Sequence, residues 1–190
     1  KSAEIDSTTR QLWFVLHGYG QLAQYFIKKF NVLKEKNICV VAPEGLSRFY
    51  LEELQAGGRK NNRVGATWMT RENREMDIEN YIQYLDSVYK KEMKGHKIPV
   101  TIVGFSQGSA TACRWILNGQ VNFKKLILWS GVFPPDMDFN TGSRLLSDKE
   151  IYAVYGTKDP FLTDERFAEM NELTKKLNGL GPDMLTGKEI

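Results

Sequence analysis

Residues 100–117 read VTIVGFSQGSATACRWIL and indicate the fold class. Residues 100–105 form an almost continuously apolar run, as expected for a parallel strand covered on both faces, and residues 106–117 carry a helical pattern of apolar positions. Between them lies the motif G-x-S-x-G, which places a nucleophilic Ser106 in the turn from strand to helix. Gly104 and Gly108 are small enough to let the two elements pass closely. A plainer alternative stays open, in which Ser106 is only a helix N-cap after a glycine turn.

The rest of the chain repeats this alternation of strand and helix. Further buried strands are predicted at 12–18, 38–43, 126–131 and 151–156, and helices at 22–33, 72–94 and 165–177. Alternating strands and helices form a parallel sheet through right-handed crossovers. We therefore predict one α/β domain over residues 1–190, with a mostly parallel central sheet and helices on both faces in three layers. Residues 44–71 fit neither pattern and are predicted to be a loop or partly helical excursion on the substrate side, at a strand's carboxyl end.

Composition excludes several function classes. The 190 residues carry a net charge of +3, and the Lys and Arg residues are spread along the chain beside Asp and Glu, so nucleic-acid binding is not expected. The absence of 18 consecutive apolar residues argues against a transmembrane segment. The polar residues 1–10 do not resemble a signal peptide. Two sparse cysteines, Cys39 and Cys113, are expected to be buried and unpaired, which favours a cytoplasmic location.

A second motif, HGYG at 17–20, follows the first predicted strand. A loop in this place can offer a backbone N–H to a developing oxyanion, with a second N–H coming from the residue after the nucleophile. Tyr19 and Gln107 are the predicted donors. His17 is expected to shape the loop rather than to serve as a base, because the base of such a triad follows the acid in the chain. A simple glycine turn is the alternative reading.

The acidic member of a triad is predicted at Asp159 in YGTKDPF, directly after the strand at 151–156. The order Ser106 before Asp159 is that of the α/β-hydrolases, and a carboxylate there would orient a histidine and stabilise its imidazolium. Two alternatives stay open. Asp159 can be a helix-entry turn, and Asp136 or Asp138 can be the acid instead.

The motifs LHGYG, APEG, GFSQGSA, LWSG and YGTKDPF occur in this order over residues 14–160. Together they resemble the phospholipase/carboxylesterase group of α/β-hydrolases, which includes acyl-protein thioesterases and small bacterial carboxylesterases. The resemblance implies an attack of Ser106 on an ester or thioester, a histidine oriented by Asp159, and an oxyanion held by the N–H groups of Tyr19 and Gln107. It implies neither a metal nor an organic cofactor.

The chain departs from that group at its histidine. The group's pattern resembles G-x-H-x-I after the last strand, whereas residues 187–190 read GKEI, with no histidine between Lys188 and Glu189. His96 is no substitute, because it precedes a six-residue strand and lies about 20 Å from Ser106 at 3.3 Å per residue. Three explanations stay open: residues lost from the sequence near this end, a modified or unlisted residue, or a degenerate hydrolase that binds without turnover.

The substrate is expected to be a small-molecule ester. Trp68 and Met69 are the predicted substrate-binding residues, with packing as the alternative role. Phe49, Tyr50, Leu51 and Leu54 are further candidates for an acyl groove, and Arg59, Lys60 and Arg63 are candidates for an anionic head group or for a solvated loop. The rival hypothesis is a non-enzymatic binding protein of the same fold. A dienelactone-hydrolase-like or peptidase activity is a third, since the fold alone does not select the reaction. The chain is expected to be a monomer or a homodimer.

Overall fold

The computed structural model describes residues 1–52, 63–131, 133–156, 159, 163, 165, 168, 169, 172, 175 and 183–187. The strands are β1 Gln11–Leu16, β2 Ile38–Val41, β3 Ser47–Tyr50, β4 Val64–Thr67, β5 Val100–Phe105, β6 Lys125–Trp129, β7 Glu150–Gly156 and β8 Asp183–Gly187. The helices are α1 Ala23–Phe26, continued by a 3₁₀ helix at Ile27–Lys36, then α2 Arg74–Met93, α3 Gln107–Asn118 and α4 Phe139–Leu146. The described positions between 165 and 175 are also helical.

Six strands form one parallel sheet in the order β2-β1-β5-β6-β7-β8. Side chains that alternate along β1 point to opposite faces. On one face, Leu12 and Phe14 pack with Leu85 of α2 and Trp115 of α3 in the larger core cluster. On the other face, Val15 packs with Phe26 and Phe30 of the first helical segment. The predicted fold class, a parallel sheet with helices on both faces, is confirmed.

The predicted strands agree with the observed strands to within about two residues at their ends, which is the usual uncertainty of element boundaries. The strand predicted at 126–131 ends at Trp129 because Ser130 adopts a left-handed backbone with φ 48°. The long helix predicted at 72–94 is observed at Arg74–Met93. Among the described helices, none is both long enough and apolar enough to cross a membrane.

Residues 44–71 differ from the prediction of a loop or partly helical excursion. Their described parts contain the antiparallel pair β3–β4, which joins Ser47 to Thr67 and Tyr50 to Val64. Neither β3, SRFY, nor β4, VGAT, carries a run of large apolar residues, which is why the sequence did not reveal them. A bridge between Gln21 and Ala66 attaches this pair to the loop after β1. Leu54, Arg59 and Lys60 lie outside the described residues.

Candidate active site

The candidate residues meet at the carboxyl edge of the sheet. The register pairs Leu16 with Gly104, Phe105 with Trp129, and Trp129 with Val154, so β1, β5, β6 and β7 end near one another. The HGYG loop, Ser106 and Asp159 each follow one of these strands. Ligands bind at this edge in open α/β sheets.

Ser106 occupies a strained turn between β5 and α3. Its backbone angles are φ 53° and ψ −116°, a conformation that costs about 1–3 kcal/mol for a residue with a Cβ atom. The turn is fixed because the Ser106 N–H donates to Trp129 O at 2.9 Å and the Ser109 hydroxyl donates to Gly104 O at 2.8 Å. The Ser106 side chain is exposed and makes no capping hydrogen bond. Ser106 therefore occupies the N-cap position of α3, but its hydroxyl does not cap the helix.

The two glycines of the motif allow this turn. A Cβ atom on Gly104 would lie 2.4 Å from Gly108 O, and one on Gly108 would lie 2.2 Å from Leu16 O. Real Cβ atoms do not approach backbone oxygens so closely, because the overlap is repulsive. The start of α3 therefore packs directly on the end of β1, beside the HGYG loop.

The HGYG loop presents the Tyr19 N–H group. The neighbouring Gly18 N–H donates to Gln21 Oε1 at 2.9 Å, and the Gly20 N–H donates to Ala66 O at 2.9 Å. Within the described part of the chain, neither the Tyr19 N–H nor the Gln107 N–H, the first of α3, has an acceptor. The loop lies against the serine, since a Cβ atom on Gly18 would be 3.2 Å from Ser106 Cβ. Backbone N–H groups of this kind are the donors that an oxyanion site requires.

His17 holds this loop from inside the protein. Its side chain is fully buried, and Nε2 accepts the Gly45 N–H at 2.9 Å. The proton is therefore on Nδ1, which donates to Gly18 O at 2.8 Å. Burial lowers the pKa of His17, which keeps the imidazole neutral. Both ring nitrogens are engaged with backbone groups, so His17 does not accept a proton from Ser106.

Asp159 lies three residues after the end of β7, and its N–H donates to Gly156 O at 3.0 Å.

The two alternative acids, Asp136 and Asp138, form hydrogen bonds with other parts of the structure. Asp136 receives hydrogen bonds from Arg114 at 2.8 and 3.1 Å and from Arg74 at 2.7 Å; partial burial opposes its charged form, but these bonds hold the pKa of Asp136 below its usual range. Asp138 is the N-cap of α4, and the Thr141 hydroxyl and backbone lower its pKa.

Trp68 and Met69 lie close to the candidate site, but Trp68 is not open to a ligand. The Trp68 side chain is 2% exposed, stacks on the His17 ring at 5.0 Å and donates from Nε1 to His17 O at 2.9 Å. Its predicted role in binding substrate is therefore corrected to a role in packing. Met69 is half-buried, and its backbone O accepts the Gln107 side chain at 3.0 Å.

His96 lies at the opposite edge of the sheet, exposed, in the segment that precedes β5. The gap in the histidine motif, at Lys188 and Glu189, falls outside the described residues. The register nevertheless pairs Gly187 with Gly156 in neighbouring strands. The chain therefore leaves β8 beside the strand end that leads to Asp159.

A groove of about 600 Å³ opens beside the HGYG loop. Its apolar lining includes Leu22, Phe26, Leu51 and Val64, and the cations Lys29 and Arg63 border it. Arg63 pairs with Glu52 at 3.0 Å. Within the described residues, no group of three His, Cys, Asp or Glu side chains is placed to hold a metal ion.

The phospholipase/carboxylesterase family model matches residues 3–184. The chain belongs to this family. The match agrees with the resemblance that the sequence motifs indicated, and it covers the loop after β1, Ser106 and Asp159. The sequence has no significant match among curated proteins.

The chain is similar in fold to the solved structure of Zea mays acyl-protein thioesterase 2, with 17% sequence identity and a TM-score of 0.67. The match covers 98% of this chain and 87% of the thioesterase chain. Esterase PE8 is similar at 21% identity with a TM-score of 0.63, over 96% of this chain and 84% of that one. A Bacillus cereus protein described as uncharacterized has 17% identity and a TM-score of 0.66. That match covers 99% of this chain and 56% of the Bacillus cereus chain, so this chain spans about half the length of that protein.

The sequence did not predict one feature of the candidate active site, the hydrogen bonds of the Gln107 side chain. Gln107 Nε2 donates to Thr67 Oγ1 at 2.9 Å, and Gln107 Oε1 accepts the Trp68 N–H at 3.2 Å. These partners are 39 and 40 residues apart in the chain. No local pattern connects residues so distant, so the signal was absent from the sequence.

Proposed function

We propose that the chain is a serine hydrolase that cleaves carboxylic esters or thioesters through an acyl-enzyme on Ser106. One observation carries this proposal. An exposed serine stands at φ 53° in a strand-to-helix turn, beside two backbone N–H groups that have no acceptor among the described residues. Family membership supports a hydrolase.

In the proposed reaction, Ser106 Oγ attacks the carbonyl carbon and the carbonyl oxygen gains the negative charge. The N–H groups of Tyr19 and Gln107 donate to that oxyanion, which contributes about 3 kcal/mol per donor in comparable enzymes. The tetrahedral intermediate collapses and expels the alcohol or thiol. Water then attacks the acyl-enzyme and releases the carboxylic acid. A base oriented by Asp159 takes the Ser106 proton and delivers it to the departing alcohol or thiol. Residues 187–190, GKEI, where the family pattern places that base, contain no histidine in this sequence.

The groove beside the HGYG loop is the proposed place for the acyl chain. It adjoins Gly20, the neighbour of the oxyanion donor Tyr19, and its lining is largely apolar. Short and medium acyl chains are the expected substrates. No partner other than this small-molecule ester is proposed. The buried and unpaired Cys39 and Cys113 favour a reducing, cytoplasmic compartment.

The test is hydrolysis of nitrophenyl esters from acetate to octanoate, with Ser106→Ala as the control. We expect activity above this control, with kcat/KM rising as the acyl chain fills the groove. Asp159→Asn should lower kcat by about 10³–10⁴-fold, whereas Asp136→Asn, which alters an aspartate already paired with Arg114, should leave kcat nearly unchanged. Activity equal to that of Ser106→Ala on every ester would end the proposal.

The second candidate is a binding protein of the same fold that no longer turns substrate over. The sequence GKEI, without a histidine between Lys188 and Glu189, favours it. A fluorophosphonate probe separates the two candidates because rapid labelling needs a serine with an intact base. Rapid labelling of the wild type but not of Ser106→Ala supports the hydrolase. Absence of labelling from both supports the binding protein.

A further inference from the structure

We propose that Trp68 is a positioning residue that fixes the two oxyanion donors relative to each other. The inference rests on the proposed function, in which the N–H groups of Tyr19 and Gln107 hold the oxyanion. Those N–H groups belong to separate elements, the loop after β1 and the start of α3. An oxyanion site works only when its donors are held in place before the reaction, because reorganisation would consume the gain.

Trp68 contacts both elements. Its backbone N–H donates to Gln107 Oε1 at 3.2 Å, which ties it to the residue that carries one donor. Its indole Nε1–H donates to His17 O at 2.9 Å, and its ring stacks on the His17 ring at 5.0 Å with an interplanar angle of 30°. The side chain is 2% exposed, so these contacts are formed away from water.

The contact with His17 controls the direction of the second donor. His17 Nδ1–H donates to Gly18 O at 2.8 Å, and this carbonyl belongs to the same peptide group as the Tyr19 N–H. The described chain contains no cis peptide bond, and in a trans peptide the C=O and N–H point in opposite directions. Holding Gly18 O toward the buried His17 ring therefore turns the Tyr19 N–H away from that ring.

The Gln107 side chain anchors the Trp68 segment on the other side. Gln107 Nε2 donates to Thr67 Oγ1 at 2.9 Å and to Met69 O at 3.0 Å. The residues on either side of Trp68 are thus bonded to the first residue of α3. A displacement of Trp68 would change the separation between the two donors rather than move them together.

The test compares Trp68→Phe with Trp115→Phe in the full chain. Trp115 is a matched control because it is also fully buried. Its Nε1–H likewise donates to a buried acceptor, Asp86 Oδ1, at 2.8 Å. It lies in the body of α3, and its indole hydrogen bond goes to α2 rather than to the HGYG loop. Both variants lose an indole and one hydrogen bond, so both lower the stability by similar amounts.

We expect Trp68→Phe to lower kcat on the nitrophenyl esters by about 10–100-fold while KM changes less than about threefold. Inhibition by phenylboronic acid, whose serine adduct carries a tetrahedral oxyanion, should weaken by the same factor as kcat. Trp115→Phe should keep kcat and boronate inhibition within about twofold of the wild type. A merely structural tryptophan would not separate kcat from KM in this way.

A second variant, Thr67→Val, keeps the side-chain volume and removes the hydroxyl that accepts from Gln107. It should lower kcat by about 3–10-fold, whereas Thr101→Val, at a buried threonine of β5, should not. Equal kcat values for Trp68→Phe and Trp115→Phe, in an active wild type, would overturn this inference alone. A wild type without hydrolysis and without fluorophosphonate labelling would overturn the proposed function and this inference with it.

Discussion

The backbone of Ser106 has φ 53° and ψ −116°, a conformation that is unfavourable for a residue with a Cβ atom. The side chain of Ser106 is exposed. Glycine adopts this conformation without the steric cost. We expect Ser106→Gly to be more stable than Ser106→Ala by about 1 kcal/mol, the reverse of the order found at ordinary positions. Both variants lack the hydroxyl, so the difference reports the backbone alone. Urea unfolding measures it, and Ser106→Ala being the more stable of the two would contradict the strain.

The neutral His17 makes stability depend on pH. Burial lowers the pKa of His17 in the folded protein below its ordinary value of 6.5. As the pH falls through that ordinary value, the unfolded chain binds a proton that the folded protein does not bind. The free energy of unfolding is therefore highest above the ordinary pKa. It decreases as the pH falls toward the folded-state pKa.

Urea unfolding between about pH 7.5 and about pH 5.5 tests this expectation. The free energy of unfolding of the wild type should fall relative to that of His17→Asn, which has no imidazole at this site. The matched control is His96→Gln, which alters the exposed histidine before β5 and should keep the wild-type dependence. A wild type and His17→Asn that follow parallel curves would show that His17 does not carry the effect.

The sequence predicted some of these residues and misplaced others for a physical reason. Ser106 and His17 lie within short motifs whose spacing already implies a turn, so local chemistry is enough to place them. Trp68 was assigned to the substrate because an aromatic residue in a long loop can line a groove. Its actual partner, His17, is 51 residues away in the chain. Contacts between residues so far apart in the chain depend on tertiary packing, so the sequence alone does not show that Trp68 is buried.

The contact between α3 and β1 depends on Gly108, where a Cβ atom would lie 2.2 Å from Leu16 O and 2.8 Å from His17 O. Alanine favours a helix over glycine by about 1 kcal/mol, but both clashing atoms are backbone and cannot rotate away. We expect Gly108→Ala to lower the free energy of unfolding by about 3 kcal/mol. The control Gly156→Ala adds a Cβ that has none of the described atoms within 4 Å and should stay within about 0.5 kcal/mol. Equal losses would show that α3 can move away from β1.

Element prediction followed the strength of the periodic signal. The strands β1, β2, β5, β6 and β7 were predicted because buried parallel strands read as continuous apolar runs. The pair β3–β4 was missed because β3 carries no such run, with Ser47, Arg48 and Tyr50 exposed. The buried residues of β4 are small or polar, namely Gly65, Ala66 and Thr67. The pair β3–β4, which is bridged to the loop after β1 through Gln21 and Ala66, was therefore not visible in the sequence pattern.

The parallel register of the whole sheet brings the candidate site together from distant parts of the chain. Each of β1, β5 and β7 ends at the same edge, which places Tyr19, Ser106 and Asp159 on one side of the molecule. The fold class, once inferred, predicts this edge. It does not predict which aspartates are bound elsewhere. That depends on Asp136 pairing with Arg114 and Asp138 capping α4.

The same register makes a prediction about the histidine motif. Gly187 pairs with Gly156, so β8 ends beside the strand that leads to Asp159. A histidine inserted between Lys188 and Glu189 would recreate the family pattern at that point. In a wild type that the fluorophosphonate probe does not label rapidly, and that therefore has no working base, we expect this insertion to raise kcat on nitrophenyl esters by about 10³-fold or more, the usual contribution of a triad base.

The gain should depend on both proposed partners of the inserted histidine. In an Asp159→Asn background the insertion should lose most of its effect, because the imidazole would lack the carboxylate that orients it. In a Ser106→Ala background it should have no effect. An alanine inserted at the same point controls for the added residue and should leave kcat unchanged. A gain of equal size with and without Asp159 would show that the sheet edge does not bring these two positions into contact, and no gain in any background would favour the binding protein.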